Sequence, residues 1–199
     1  YTGATSVSGT REKSEGKLRE ERNRLIDEWK AAKAAAIEND NTELLYHVPC
    51  MENDSAEMWD RFSMQDNAPD ILITNYSMLN VMLMRENEAD IFADTKAWLE
   101  EDPSHVFHLV IDELHTYRGT AGTEVAYLLR ILLDRLGLNP NSPQIQFLAS
   151  SASMEENQQS IDFLSEFFGV NKKDFASKFV ILSNPLQPSV EKPVVSLPI

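Results

Sequence analysis

The stretch HLVIDELHTYRGTAGTEVAYLLRILLDRLGL, residues 108–138, decides the fold. Its first part belongs to an apolar run, Val106-Phe-His-Leu-Val-Ile111, short enough for a strand and ending at two acids, Asp112-Glu113. Its last part has Val125, Leu128, Leu129, Leu132 and Leu136 at helical spacing, which predicts a helix over residues 123–137. Gly137 stands where a helix C-cap needs a residue that tolerates positive φ. Seven residues on, Gln144-Ile-Gln-Phe-Leu-Ala149 has the texture of another buried strand. Strand, helix, strand at these lengths is the pattern of an α/β domain with a mainly parallel sheet flanked by helices.

The pattern extends in both directions. Asp70-Ile-Leu-Ile-Thr74, behind a proline, reads as a strand, and Tyr76 to Phe92 has Met78, Leu79, Met82 and Leu83 in helical register. A short helix is expected around Ala56–Phe62, another near Glu155–Phe168, and a fourth strand at Phe179-Val-Ile-Leu182. Residues 11–38 are rich in helix formers with a thin apolar stripe of Leu18, Leu25, Ile26 and Trp29, which predicts a long, largely solvated helix. Residues 184–199 carry four prolines and read as an extended linker. The expected organisation is a loop and charged arm over 1–45, an α/β domain over 46–183 and the linker over 184–199.

Composition narrows the classes. In 199 residues, apolar side chains make up 42% and charged ones 25%, ordinary for a globular chain. No segment approaches the ~18 apolar residues of a membrane span, and residues 1–13 lack the apolar core of a secretion signal. Cys50 is the only cysteine, so no internal disulfide forms and a reducing compartment, the cytoplasm, is expected. The net charge of -14 opposes any diffuse attraction to phosphate. Eight basic residues between Arg11 and Lys33 are interleaved with six acids, which does not make a phosphate-binding patch.

In parallel α/β sheets the working residues sit beyond the carboxyl ends of strands. Three such ends carry polar groups here: Thr74-Asn75, Asp112-Glu113 and Ser150–Ser153. Adjacent acids leaving a buried strand are costly unless compensated, and a divalent cation is the usual compensation. Mg²⁺ takes one or two carboxylates plus waters and substrate phosphates. A neighbouring carboxylate can then orient and deprotonate an attacking water. The bland alternative is an exposed turn whose acids cap the next segment.

Three ordered motifs resemble the DEAD/DEAH-box helicases of superfamily 2. Asp112-Glu113-Leu114-His115 is similar to motif II, Ser151-Ala152-Ser153 to motif III, and PDILITNYSML at 69–79 to motif Ib. The sequence HTYRGTAGTEVA is most similar to the branch holding YprA-like bacterial helicases and the large helicase subunits of phage-defence systems such as Druantia and DISARM. The resemblance implies a partial RecA-like (P-loop NTPase) domain with ATP and Mg²⁺ as cofactors. It implies that Asp112 holds Mg²⁺, that Glu113 is the general base, and that His115 couples the nucleotide site to Ser151, Ala152 and Ser153. It places Thr74, Asn75, Thr2 and Gly3 on the backbone of a nucleic-acid strand, DNA foremost and RNA also compatible. Arg118 is a further phosphate contact or a structural ion pair, and the sequence does not separate the two.

A G-x-x-x-x-G-K-[ST] loop is missing, as are the Q motif and motifs IV to VI. The expectation is therefore the second half of a first RecA-like domain, working with the remainder of a helicase that supplies the P-loop and a second RecA-like domain, with no membrane. Alone, residues 1–199 should hydrolyse no ATP. The rival expectation is a non-catalytic RecA-like scaffold or nucleic-acid-binding module. Phage defence and DNA repair are both compatible with the motor reading.

Overall fold

The structure is a computed structural model that describes Thr5 and residues 10–182. Thr2, Gly3 and the proline-rich segment 184–199 lie outside the described residues.

Helix α1 spans Arg11–Glu38. It buries only Ser14, Leu25 and Ala36, as its thin apolar stripe requires. Arg24 bridges Glu21 and Glu28 on its solvated face. Arg11 meets Asp66 through two bonds of 2.7 and 2.6 Å, and Lys33 pairs with Glu52, so both ends of the helix are tied to later segments of the chain. Both pairs are exposed, so water and salt screen them and they add little to stability.

A 3-10 turn, Thr42–His47, leads to α2, Arg61–Asp66. α2 starts at Arg61 rather than within 56–60, because the Asp60 side chain is its cap. Asp60 Oδ1 accepts from Phe62 N at 2.9 Å and Ser63 N at 3.0 Å. α3 is Tyr76–Met84 and α4 is Ala89–Glu101, with a 3-10 turn at Glu86–Glu88 between them. The continuous helix expected from Tyr76 to Phe92 is broken at Arg85, whose backbone is extended. The break seats buried Glu88 beside the Gln65 amide at 3.1 Å.

Strand β1, Phe107–Ile111, is followed by α5, Thr120–Arg135, and strand β2, Ile145–Ala149. β1 and β2 pair in parallel, with Phe107 opposite Ile145 and Ile111 opposite Ala149. α5 ends with Leu136 as C-cap and Gly137 at φ 71. Gly137 N bonds Asp134 O at 3.0 Å and Leu138 N bonds Leu133 O at 2.8 Å, the paired bonds of a Schellman motif. α6, Gln158–Phe168, begins where Asn157 accepts from Ser160 N at 2.9 Å. Its last carbonyls, Glu166 O and Phe167 O, are each bonded by the Arg130 guanidinium at 2.9 Å. A short α7, Phe175–Lys178, comes next.

The core lies between the sheet and helices α3 to α6, where Met82, Leu114, Leu133 and Phe168 are almost wholly buried. Phe147 of β2 packs on Phe168 at 4.6 Å and on Phe179 at 6.2 Å between ring centroids. The result is a helix-rich α/β fold with a small parallel sheet.

The sheet is smaller than expected. Among the described residues it has two strands, and neither 70–74 nor 179–182 pairs into it. Both segments nevertheless keep strand alternation. Leu72, Phe179 and Ile181 turn to the core beside Phe107, Ile111 and Phe147. Ile71, Ile73, Val110, Leu148, Val180 and Leu182 turn away and are between 43% and 89% exposed.

Candidate functional site

The site forms where the β1–β2 ladder runs out. Ser150 N donates to Ile111 O at 3.0 Å, and Leu114 N donates to Ser150 O at 2.8 Å. Between these two bonds Asp112 and Glu113 leave the strand. Glu113 has φ 51, a left-handed conformation that costs a non-glycine residue about 1–2 kcal/mol. Its N–H is shared by Asp112 Oδ1 and Ser150 Oγ, both at 3.0 Å. Ser150 Oγ in turn donates to Asp112 Oδ1. Buried Leu114 anchors the next 3-10 turn, Leu114–Thr116, and Thr116 bonds Glu113 O through both its N–H and its hydroxyl at 2.9 Å.

This turn projects the Glu113 carboxylate outward, 59% exposed, with Oε2 at 3.1 Å from His115 Nδ1. The same Nδ1 lies 3.4 Å from Ala152 N. One ring nitrogen cannot serve both at once. With a proton it donates to Glu113, and without one it accepts from Ala152. His115 Nδ1 thus stands between the acid pair and the segment after β2, within reach of either and bonding one at a time.

Of the other motif III positions, Ser151 Oγ is buried without a hydrogen-bond partner among the described residues, and Ser153 is exposed. Among the described residues Asn75 makes no bond to this cluster, and Thr74 Oγ1 lies 3.5 Å from Asn75 O. Asn75 caps α3, its Oδ1 accepting from Met78 N at 2.9 Å. Arg118 makes no ion pair among the described residues and lies over the Phe163 ring, 5.7 Å from its centroid. Thr2 and Gly3 are outside the described residues. A groove beside the turn, between α5 and α6, is lined by Tyr117, Thr123, Tyr127, Arg130 and Phe163, and neither acid is in its wall.

Ser150 opens the polar segment that the sequence marks at a strand end, and strand register is the signal that gives it its role, since Ile111 faces Ala149 and the next residue faces Asp112. Arg130, an arginine on an otherwise apolar helix, was not singled out by sequence. Partial burial holds its guanidinium below its ordinary pKa.

No group of three His, Cys, Asp or Glu side chains converges to hold a metal among the described residues. What is present is one carboxylate with Oδ1 held and its other oxygen without a hydrogen-bond partner among the described residues, and a second carboxylate in the open. That donor set is too small for a zinc or calcium cage. It fits Mg²⁺, which keeps waters and takes remaining ligands from phosphates.

The fold and this turn define a parallel α/β unit whose polar chemistry gathers at one strand mouth. The chain is 38% identical over 140 residues to the Druantia protein DruE of Escherichia coli (strain UMEA 4076-1). The match covers 70% of this chain and 8% of that protein, so the chain spans a small part of its relative's length. No family model matches, and no solved structure matches. Among the described residues no helix is long and apolar enough to cross a membrane.

Proposed function

We propose that this chain is part of an ATP-dependent helicase or translocase that moves along DNA in phage defence. The observation that carries the reading is the strand-end acid pair joined through Ser150 to the end of the next parallel strand, with His115 within reach of Glu113 and of Ala152. The similarity to a Druantia protein supports the defence context. In this reading Asp112 holds Mg²⁺, which neutralises phosphate charge. Glu113 Oε2, exposed and beside His115, orients a water and takes its proton. His115 reports the state of that carboxylate to Ala152 and the Ser151–Ser153 segment. Thr74 contacts the strand backbone, and Arg118 adds a phosphate contact at the edge of its ring stack.

The rest of the machine comes from the remainder of a larger polypeptide. Parallel sheets are ordinarily covered on both faces. Here four segments turn an apolar face outward, which supports a further layer of a RecA-like domain packing there. That remainder would supply the phosphate loop and second RecA-like domain.

The test is nucleic-acid-stimulated ATP hydrolysis by the complete natural polypeptide. Glu113→Gln should lower kcat about 10²–10⁴-fold while ATP still binds. Undiminished hydrolysis removes Glu113 as base. A wild-type polypeptide without any hydrolysis favours the second reading, a non-catalytic scaffold or nucleic-acid-binding module.

A further inference from the structure

Ser150 stands outside the three-residue motif after it, yet it makes more bonds to the acid pair than any residue of that motif. Its N–H and C=O bond Ile111 O and Leu114 N, on either side of Asp112-Glu113. Its hydroxyl accepts from Glu113 N and donates to Asp112 Oδ1. A serine hydroxyl has one hydrogen and two lone pairs, so these two roles are mutually compatible. The consequence is one fixed carboxylate oxygen, one with no partner among the described residues, and a glutamate held in a left-handed turn.

We propose that Ser150 is a positioning residue, whose hydroxyl fixes the Asp112 carboxylate with one oxygen left for a divalent cation and holds the turn that projects Glu113. This rests on the ATP-hydrolysis reading of the site. Hydrogen bonds to a ligating carboxylate commonly alter metal affinity 10- to 100-fold. Ser151 cannot substitute, since its Oγ is buried and reaches no partner among the described residues.

The first experiment needs neither metal nor nucleotide. Amide hydrogen exchange is followed in this chain for wild type, Ser150→Ala and Ser150→Thr. In Ser150→Ala the Glu113 amide should exchange roughly fivefold faster, the worth of one side-chain hydrogen bond, with Leu109 and Phe147 unchanged. Ser150→Thr should behave as wild type. An unchanged Glu113 amide overturns the proposal. So does uniform acceleration along both strands, which would make Ser150 a general support of the ladder.

The second experiment measures the Mg²⁺ concentration for half-maximal ATP hydrolysis in the complete polypeptide. Ser150→Ala should raise it about tenfold, and Ser150→Thr should restore it. An unchanged Mg²⁺ curve overturns the metal half of the proposal. A wild-type polypeptide with no hydrolysis at all overturns the ATP reading and that half with it, while the exchange result still decides whether the hydroxyl holds the turn.

Discussion

Replacing Gly122 by alanine tests how tightly the acid-pair turn is locked to α5. Gly122 sits buried in the first turn of that helix. A Cβ there would stand 1.8 Å from Tyr117 O and 2.6 Å from Tyr117 C, where ordinary contact begins at 3.4 Å. One backbone must therefore move by about 1.6 Å. Neither is free to do so. Tyr117 N bonds Leu114 O at 3.1 Å, and its ring stacks 6.2 Å from Phe167. α5 is fixed by buried Val125, Leu128 and Leu129. Overpacking of this kind costs about 3 kcal/mol, and alanine's better helix propensity returns about 1 kcal/mol. The net loss of about 2 kcal/mol lowers Tm by roughly 4–8 °C in a chain of this size. Gly16 is the control. It lies within α1 with nothing near its missing Cβ, so Gly16→Ala should raise stability by about 0.8 kcal/mol. Thermal unfolding by circular dichroism reads both. A Gly122→Ala chain melting at or above wild type, beside a stabilised Gly16→Ala, would refute the locked turn.

Arg130→Met should cost about 1.5–3 kcal/mol in urea unfolding, because the carbonyls of Glu166 and Phe167 lose a charged donor. Asn75→Asp keeps the α3 cap and should leave stability within about 0.5 kcal/mol, since both residues cap equally well. The same change should weaken DNA binding by the complete polypeptide several-fold if Asn75 also meets phosphate. Unchanged affinity would leave Asn75 a cap alone. Asp66, Glu52, Asp102 and Asp162 are all held below their ordinary pKa, Asp102 by the backbone N–H of Ser104 and the others first by hydrogen bonds from Arg11, Lys33 and Lys172. A depressed carboxylate stabilises the fold above its unfolded pKa and loses that contribution as pH falls through its folded value. Stability should therefore drop as pH is taken below the usual carboxylate range, and Asp102→Asn should make the drop shallower in denaturant titrations at stepped pH.

Much of this fold was legible because helices are local. Periodicity and composition placed α1 at residues 11–38 and found most of α5, and Gly137 ended α5 because its positive φ suits glycine. The strands were legible only in part. At 70–74 and 179–182 the apolar runs are continuous, so they do not say which side chains face the core, and pairing depends on neighbours that a local pattern does not contain. The break at Arg85 carries no glycine or proline to announce it. At the site, the acids stood out because two charges after an apolar run are conspicuous. The left-handed turn at Glu113 and the role of the Ser150 hydroxyl did not, because both depend on strand register, which brings together residues 37 apart. Asn75 had a local duty as a helix cap that its place after an apolar run concealed.

The central claim is that Asp112 and Glu113 handle a magnesium-bound triphosphate. A structure of the complete polypeptide with Mg²⁺ and a non-hydrolysable ATP analogue tests it most directly. The account predicts the ion bound to Asp112 directly or through one of its waters, its own oxygen ligands at about 2.1 Å, and a water within hydrogen-bond reach of Glu113. An analogue seated elsewhere, with both carboxylates facing bulk solvent, would contradict it.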